Sequence, residues 1–177
     1  MNADMTSIYR GGAVVRPLAA HEWQLYRTLR LRALRDAPAA FCSTLAEEET
    51  RTDEDWAWRL HLGAGSGRDR PLVAEVDGAA AGLAWAKVDA GDPSLVNLFQ
   101  VWVAPEARGH GVAAALLDAA IAWARARGAR AMGLGVVCGN DAARRLYERA
   151  GFRDVGAPQP QRPGSGLMEQ RMRLDFI

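Results

Sequence analysis

Two stretches of this chain hold residue types at spacings that suit chemistry. The first is Arg108-Gly109-His110-Gly111-Val112-Ala113, set between an apolar run that ends at Pro105 and a long run patterned as a helix. Glycines two apart let the backbone turn tightly and bring its N–H groups close to a ligand. The helix that follows opens with unpaired N–H groups and a partial positive charge, a natural seat for a phosphate. Residues 113–115 are all alanine, so the first turn is slim, and Arg108 adds a cation. The side chain of His110 is expected to face solvent, because an anion would use its amide. Alone, a Gly-x-Gly before a helix is as often only a tight turn. It is not a dinucleotide fingerprint, which needs a third glycine and an acidic strand end, nor a P-loop, since no Gly-Lys-Ser/Thr follows.

The second stretch runs from Asn140 to Phe152. Asn140 stands where a helix N-cap is expected. Tyr147 is seven residues later, two turns along, and so on the same face. The plain structural reading makes these a cap and a core tyrosine with a satisfied hydroxyl.

The elements that must position these residues follow from periodicity. Residues 1–12 are expected as a flexible tail and 13–177 as a single domain. Val14 and Val15 suggest a short strand. Residues 19–35 carry apolar side chains at three- and four-residue steps, with arginines between, and predict a helix. Asp36-Ala37-Pro38 breaks it. Ser43 or Thr44 caps the next helical segment, and further helical turns cover 54–62. The period then changes. Residues 71–76 and 79–88, joined by Asp77-Gly78, predict a β-hairpin. Residues 95–103 form the strongest strand. A helix over 112–127 stops at Gly128, a strand covers 131–137, and a helix over 140–150 stops at Gly151. Strands at 153–155 and 168–174 flank a Pro/Gly-rich loop at 157–166. The fold class is therefore α+β, or mixed α/β: one mostly antiparallel twisted sheet of about six or seven strands, with helices on both faces.

The bulk numbers bound the function. The chain has 177 residues, 49% hydrophobic and 24% charged, with a net charge of +1. That balance gives no reason to expect nucleic acid or an anionic membrane as partner. The first residues lack the apolar core of a signal peptide, so the expected location is the cytoplasm. Cys42 and Cys138 are far apart and in no CxxC pattern, which excludes a disulfide framework or zinc site; both are expected as small buried or half-buried thiols. No metal-ligand spacing occurs, so no metal is expected.

The wider pattern resembles the GNAT superfamily of N-acetyltransferases. Its signature Arg/Gln-x-x-Gly-x-Gly/Ala is matched by residues 108–113, and its apolar strand ending near a proline by 99–105. Its later Asn-x-x-Ala-x-x-Leu-Tyr-x-x-x-Gly-Phe segment is matched by Asn140, Ala143, Leu146, Tyr147, Gly151 and Phe152. The close match spans residues 95–156, and the segments before it agree in order only. The resemblance implies an acyltransferase that uses acetyl-CoA as co-substrate and a primary amine of a small molecule or peptide as acceptor, by direct attack. It implies that the strand around Val101, Trp102 and Val103 offers its backbone to the pantetheine arm. The amides of Gly109, His110, Gly111, Val112 and Ala113, with Arg108, would hold the pyrophosphate. Asn140 and Ala143 would border the cofactor, and Tyr147 would stand beside its sulfur as general acid.

One position departs from the family pattern. Many relatives carry a glutamate base on the central strand, and here that place holds Asn97. Glu47, Glu48, Glu49, Asp89 and Asp92 are the alternative bases, acting directly or through water. The acceptor site is expected from the first two helices and the loops 37–43 and 157–166, with Phe41, Trp56, Trp58 and Trp85 as candidate linings. A non-catalytic acyl-CoA sensor and a nucleotide-binding domain with a parallel sheet stand as competing readings. Oligomeric state is open, with a homodimer as one option.

Overall fold

The computed structural model of the protein describes residues 7–8 and 12–177. The strands among them are β1 (Ser7–Ile8), β2 (Ala13–Pro17), β3 (Asp69–Val76), β4 (Ala79–Val88), β5 (Leu95–Val103), β6 (Ala131–Val137), β7 (Arg153–Asp154), β8 (Gln159–Pro160) and β9 (Met168–Asp175). The helices are α1 (Trp23–Asp36), α2 (Leu45–Glu49), α3 (Asp53–Gly65), α4 (Val112–Ala126) and α5 (Asp141–Arg149).

Local chemistry explains most boundaries. Asp77 and Gly78 both have positive φ, at 51° and 78°, which is what the tight hairpin between β3 and β4 requires. Thr44 caps α2 and Thr52 caps α3, each closing a capping box with an acid three residues on, Glu47 and Asp55. The two boxes begin the two helical segments that the sequence places after Pro38, and they fix Thr44, not Ser43, as the cap of the first. Three of the strands are only two residues long, and six are full length. The sequence-based count of six or seven matches the full-length set. Of the expected tail, Ser7–Ile8 pairs with Val14 and Val15 of β2. Residues 1–6 and 9–11 lie outside the described residues.

The sheet order is β1-β2-β3-β4-β5-β6-β9-β7, with β8 also on β9. Every described pairing is antiparallel except β5 with β6. This excludes the parallel sheet of the nucleotide-binding reading. Alternation sorts the side chains between two cores. Ala84, Ala86, Leu98, Leu134, Val136 and Met172 meet α4 and α5 on one face. Val73, Leu83, Trp85 and Trp102 meet α1 and α3 on the other. No helix among the described residues is long and apolar enough to cross a membrane.

Candidate active site

The parallel pairing of β5 with β6 covers only Leu95, Asn97 and the residue between them, against Ala131 to Gly133. Beyond that the two strands part. The cause lies in β5. Gln100 has φ of +58°, and the register with β4 shifts between Leu83 and Trp85. A bulge of this kind bends its strand and raises the local twist. The conformation costs roughly 1–3 kcal/mol for a side chain with a Cβ. Tyr26, fully buried under the sheet, donates its hydroxyl to Gln100 Oε1 at 3.1 Å and helps to hold it.

The parting opens a cleft of about 780 Å³. That size suits a small ligand or the reactive end of a larger one. Of the residues the sequence assigns to the cofactor, Val101, Asn140, Ala143 and Tyr147 line it, and Trp102, Val103 and residues 108–113 do not. Asn140 is the N-cap of α5, its side chain accepting from the Ala143 amide at 3.3 Å. Tyr147 sits two turns on, 6% exposed and tilted against Phe152. No described group pairs with its hydroxyl, unlike that of Tyr26. Burial pushes the Tyr147 hydroxyl up to about 12, so it is a proton donor throughout the neutral range.

The strand and loop residues divide by role. Trp102 and Val103 turn their side chains into the two cores and not into the cleft. Gly109 and Gly111 have φ of +79° and +80°, and Gly111 caps α4 with no side-chain hydrogen bond, so the first turn of that helix keeps its N–H groups unpaired by a cap. A Cβ on Gly109 would meet nothing within 4 Å, so the space above the loop is open. His110 is exposed, as expected. Arg108 differs from the expectation of a cation ready for phosphate. Its Nε donates to the Val103 carbonyl at 3.1 Å, and its Nη2 pairs with Asp36, which also accepts from Trp102 Nε1 at 2.8 Å. Arg108 fastens the loop to the end of β5 and of α1, and its charge is balanced there.

The expected bases are elsewhere occupied. Glu47 closes the α2 capping box and Glu49 pairs with Arg35. Glu48 is 1% exposed and bonded to Arg51 at 2.8 Å and Arg59 at 3.0 Å. Asp89 accepts from the amides of Gly91 and Asp92 and from Asn97 Nδ2 at 2.9 Å, and Asp92 holds Ser94. None of these five lines the cleft.

Glu169, on β9, does line it, and sequence reasoning missed it. It lies on the α1/α3 face. A Cβ on Gly135 would come within 2.1 Å of Glu169 Oε1, and one on Gly133 within 2.9 Å of Asn97 Oδ1. The alternate glycines of β6 therefore clear room for two polar side chains in the cleft, and Gly-x-Gly inside a strand was the available signal. Burial pushes the Glu169 carboxyl up, and Arg171 draws it partly back. Asn97 is 8% exposed, and its Oδ1 has no partner among the described residues.

The acceptor-side walls agree with expectation in part. Phe41 and Trp85 line the cleft. Trp85 lies over Gly63 of α3, where a Cβ would meet its ring at 2.2 Å, and it donates Nε1 to Asp69 at 2.8 Å. Trp56 is instead core, edge-on to Tyr26, because it faces the sheet. Trp58 is on the outer face of α3, 61% exposed and stacked on His61. The loop 157–166 does not line the cleft but clamps the loop that does: Gln161 Nε2 donates to the Ala39 carbonyl and Arg162 Nη1 to that of Cys42. Both cysteines are exposed, against expectation, because each sits in a connecting loop. Cys42 is at the cleft, where desolvation and then Glu169 push its thiol up, which makes it a poor nucleophile.

Arg30 of α1 is the other residue that sequence reasoning missed. It is 3% exposed, lines the cleft, and leaves Nε and Nη1 without a hydrogen-bond partner among the described residues. Its guanidinium lies 4.8 Å over the Phe41 ring. A cation–π contact of that kind is worth up to about 2 kcal/mol, against an effective penalty of several kcal/mol for a buried, unpaired charge.

Residues 28–152 match the model of the Acetyltransferase (GNAT) family. This chain belongs to the GNAT family. Among curated relatives, the mycothiol acetyltransferase of Thermobispora bispora is 35% identical over 133 residues, 73% of this chain and 42% of that protein. The chain thus spans less than half the length of that relative. Among solved structures, a GNAT acetyltransferase from Streptococcus pneumoniae is 24% identical, with a TM-score of 0.78 over 93% of this chain and 99% of its own. A putative acetyltransferase of Salmonella typhimurium, solved with acetyl-CoA, is also 24% identical, with a TM-score of 0.76 over 92% of this chain and 93% of its own. At that identity these structures show the GNAT fold.

The residues present fit acetyl-CoA. Beyond Asn97 the β5 edge that faces β6 has no strand partner among the described residues, so its backbone groups are open to an extended amide chain. The uncapped start of α4 and the open space over Gly109 fit a pyrophosphate. Among the described residues, no group of three or more potential ligands is placed to hold a metal ion.

Proposed function

We propose that the chain transfers an acetyl group from acetyl-CoA to a primary amine of a small molecule or peptide by direct attack. The observation that carries this reading is the pairing of two groups across the splay. Tyr147 reaches the cleft from the α4/α5 side, and Glu169 reaches it from the α1/α3 side. One is a proton donor at neutral pH, and the other is a carboxylate that its raised pKa makes a stronger base, which is the division that general acid–base catalysis needs.

Bound acetyl-CoA supplies the activated thioester. The residues do the rest. The backbone N–H groups of β5 beyond the bulge, Val101 among them, polarise the carbonyl. Glu169 takes the proton that the ammonium must lose before its nitrogen can attack. Tyr147 gives its proton to the sulfur that leaves. The walls around Trp85, Phe41 and Asn97 orient the amine and exclude water. A nucleophilic side chain is not needed, and the protonated Cys42 thiol does not supply one. Arg108 acts by holding the loop through Asp36.

Free-thiol release from acetyl-CoA with a panel of amines tests the reading. Amine-dependent release above background hydrolysis is expected. Tight acetyl-CoA binding with no amine-dependent release would instead support an acyl-CoA sensor. In that outcome Asn97, in place of the family's glutamate, marks the lost chemistry.

A further inference from the structure

We propose that the acceptor amine also carries a carboxylate, and that Arg30 is the residue that binds it. This rests on the N-acetyltransferase reading for the identity of the cleft, and it names the substrate class which that reading leaves open.

Three observations converge. First, Arg30 is nearly fully buried and faces the cleft, with two guanidinium nitrogens that have no partner among the described residues. Buried polar groups are almost always satisfied, and one that is not calls for a ligand or ion. Second, its neighbours do not neutralise it. Glu48 is the carboxylate near it, and both oxygens of Glu48 are taken up by Arg59 and Arg51. Arg59 also lines the cleft and repels Arg30. Third, the cleft as a whole is cationic. Among the described residues, five basic side chains line it, Arg30, Arg59, Arg68, Lys87 and Arg171, against the two carboxylates Asp69 and Glu169.

Asp69 already accepts from Trp85 and stands 3.9 Å from Lys87. That leaves Glu169 as the carboxylate open to an ammonium, and Arg30 as the cation open to an anion. An amine with one positive and one negative end fits this pair. A polyamine does not, because its further ammonium groups would face the five cations. The Phe41 ring beneath the guanidinium keeps Arg30 flat and leaves its N–H edges for a planar oxyanion.

Binding to the full-length protein, measured by calorimetry with CoA present, tests this without turnover. The probes are N-acetylglycine, N-acetyl-β-alanine and N-acetyl-4-aminobutyrate, each against the neutral N-alkylacetamide of the same length, and the phosphonate analogue of each. At least one carboxylate should bind about tenfold or more tighter than its neutral twin, the low end for a charge-assisted hydrogen bond. It should also bind tighter than its phosphonate. In Arg30→Gln that preference should fall to less than about twofold, with affinity for CoA and the neutral twins unchanged. Arg30→Lys keeps the charge with a different reach and should keep part of the preference, so folding failure of one variant leaves the other. Equal binding of carboxylates and neutral twins by the wild type would overturn the proposal, as would a preference that survives Arg30→Gln or a phosphonate that binds better. Failure of the parent reading looks different: no amine-dependent thiol release while the carboxylate preference stands.

Discussion

Replacing Tyr147 with phenylalanine separates catalysis from structure. Phenylalanine keeps the ring that packs on Phe152 at 5.9 Å between centroids and leaves the burial unchanged. What goes is one hydroxyl that no described group partners, so stability should move by no more than about 0.5 kcal/mol. The pKa, raised by burial from 10.0 to about 12, disfavours the phenolate. At pH 8 only about one molecule in ten thousand is then ionised, so the hydroxyl is a competent donor throughout the assay range. General acid catalysis contributes about 10²–10⁴-fold, and the lower end, ~2.7 kcal/mol of barrier, is expected for a thiolate that needs little help to leave. Single-turnover thiol release reads the chemical step without interference from product release. The expected result is a fall of about 10²-fold in that rate, with acetyl-CoA affinity by calorimetry within about twofold and Tm unchanged. A rate within about threefold of wild type would refute the acid role and return Tyr147 to the core. A matching loss of acetyl-CoA affinity would make its role positional.

Three further outcomes follow from the same geometry. Glu169→Gln should lower kcat/KM about 10²-fold at pH 7, and the defect should shrink as pH approaches the amine's own pKa, where free amine no longer needs a base. In the wild type the carboxylate is the active form, so the rate should fall as pH drops through the raised pKa of Glu169; a variant whose acid limb is unchanged would sink the assignment. Gly135→Ala puts a Cβ where Glu169 Oε1 now lies, so kcat/KM for the amine should drop about tenfold with acetyl-CoA affinity intact, and unaltered kinetics would show that the Glu169 position is immaterial. Asp36→Asn should cost about 1 kcal/mol near neutral pH, by urea titration, and weaken acetyl-CoA binding severalfold. The Trp102 hydrogen bond and then Arg108 hold the Asp36 carboxyl below the usual range. Its contribution is therefore present above the unfolded-state pKa and lost as pH falls through the lower folded value. A stability difference that persists unchanged below that range would contradict the pairing.

Local signals in the sequence identify most elements and half of the site. Asp77-Gly78 marks the hairpin, Thr44 and Glu47 mark the start of α2, and the span from Asn140 to Tyr147 gives a cap and a buried hydroxyl two turns apart on one helix. These depend on neighbours within a few residues. What escapes the sequence depends on contacts far along the chain. The splay comes from a positive φ at Gln100, a residue type with no preference for that conformation, supported by Tyr26 from 74 residues away. Arg108 resembles a phosphate ligand until Asp36, 72 residues earlier, is found beside it. Glu169 and Arg30 come from the last strand and the first long helix, and only the fold brings them to one cleft. The alternate glycines of β6 hint at a close approach there, but not at which side chain makes it. Trp58 and Trp56 show the converse limit: two tryptophans two apart on a helix cannot share a face, and periodicity alone leaves open which one faces inward.

The proposed mechanism requires acetyl-CoA to react in the gap between β5 and β6 beyond Asn97. A crystal structure of the protein with CoA tests it most directly. The pantetheine arm should lie along the free edge of β5, the pyrophosphate on the amides of residues 109–113, and the sulfur in hydrogen-bond contact with the Tyr147 hydroxyl. CoA bound on another surface, or seated in the cleft with its sulfur out of reach of Tyr147, would contradict the account.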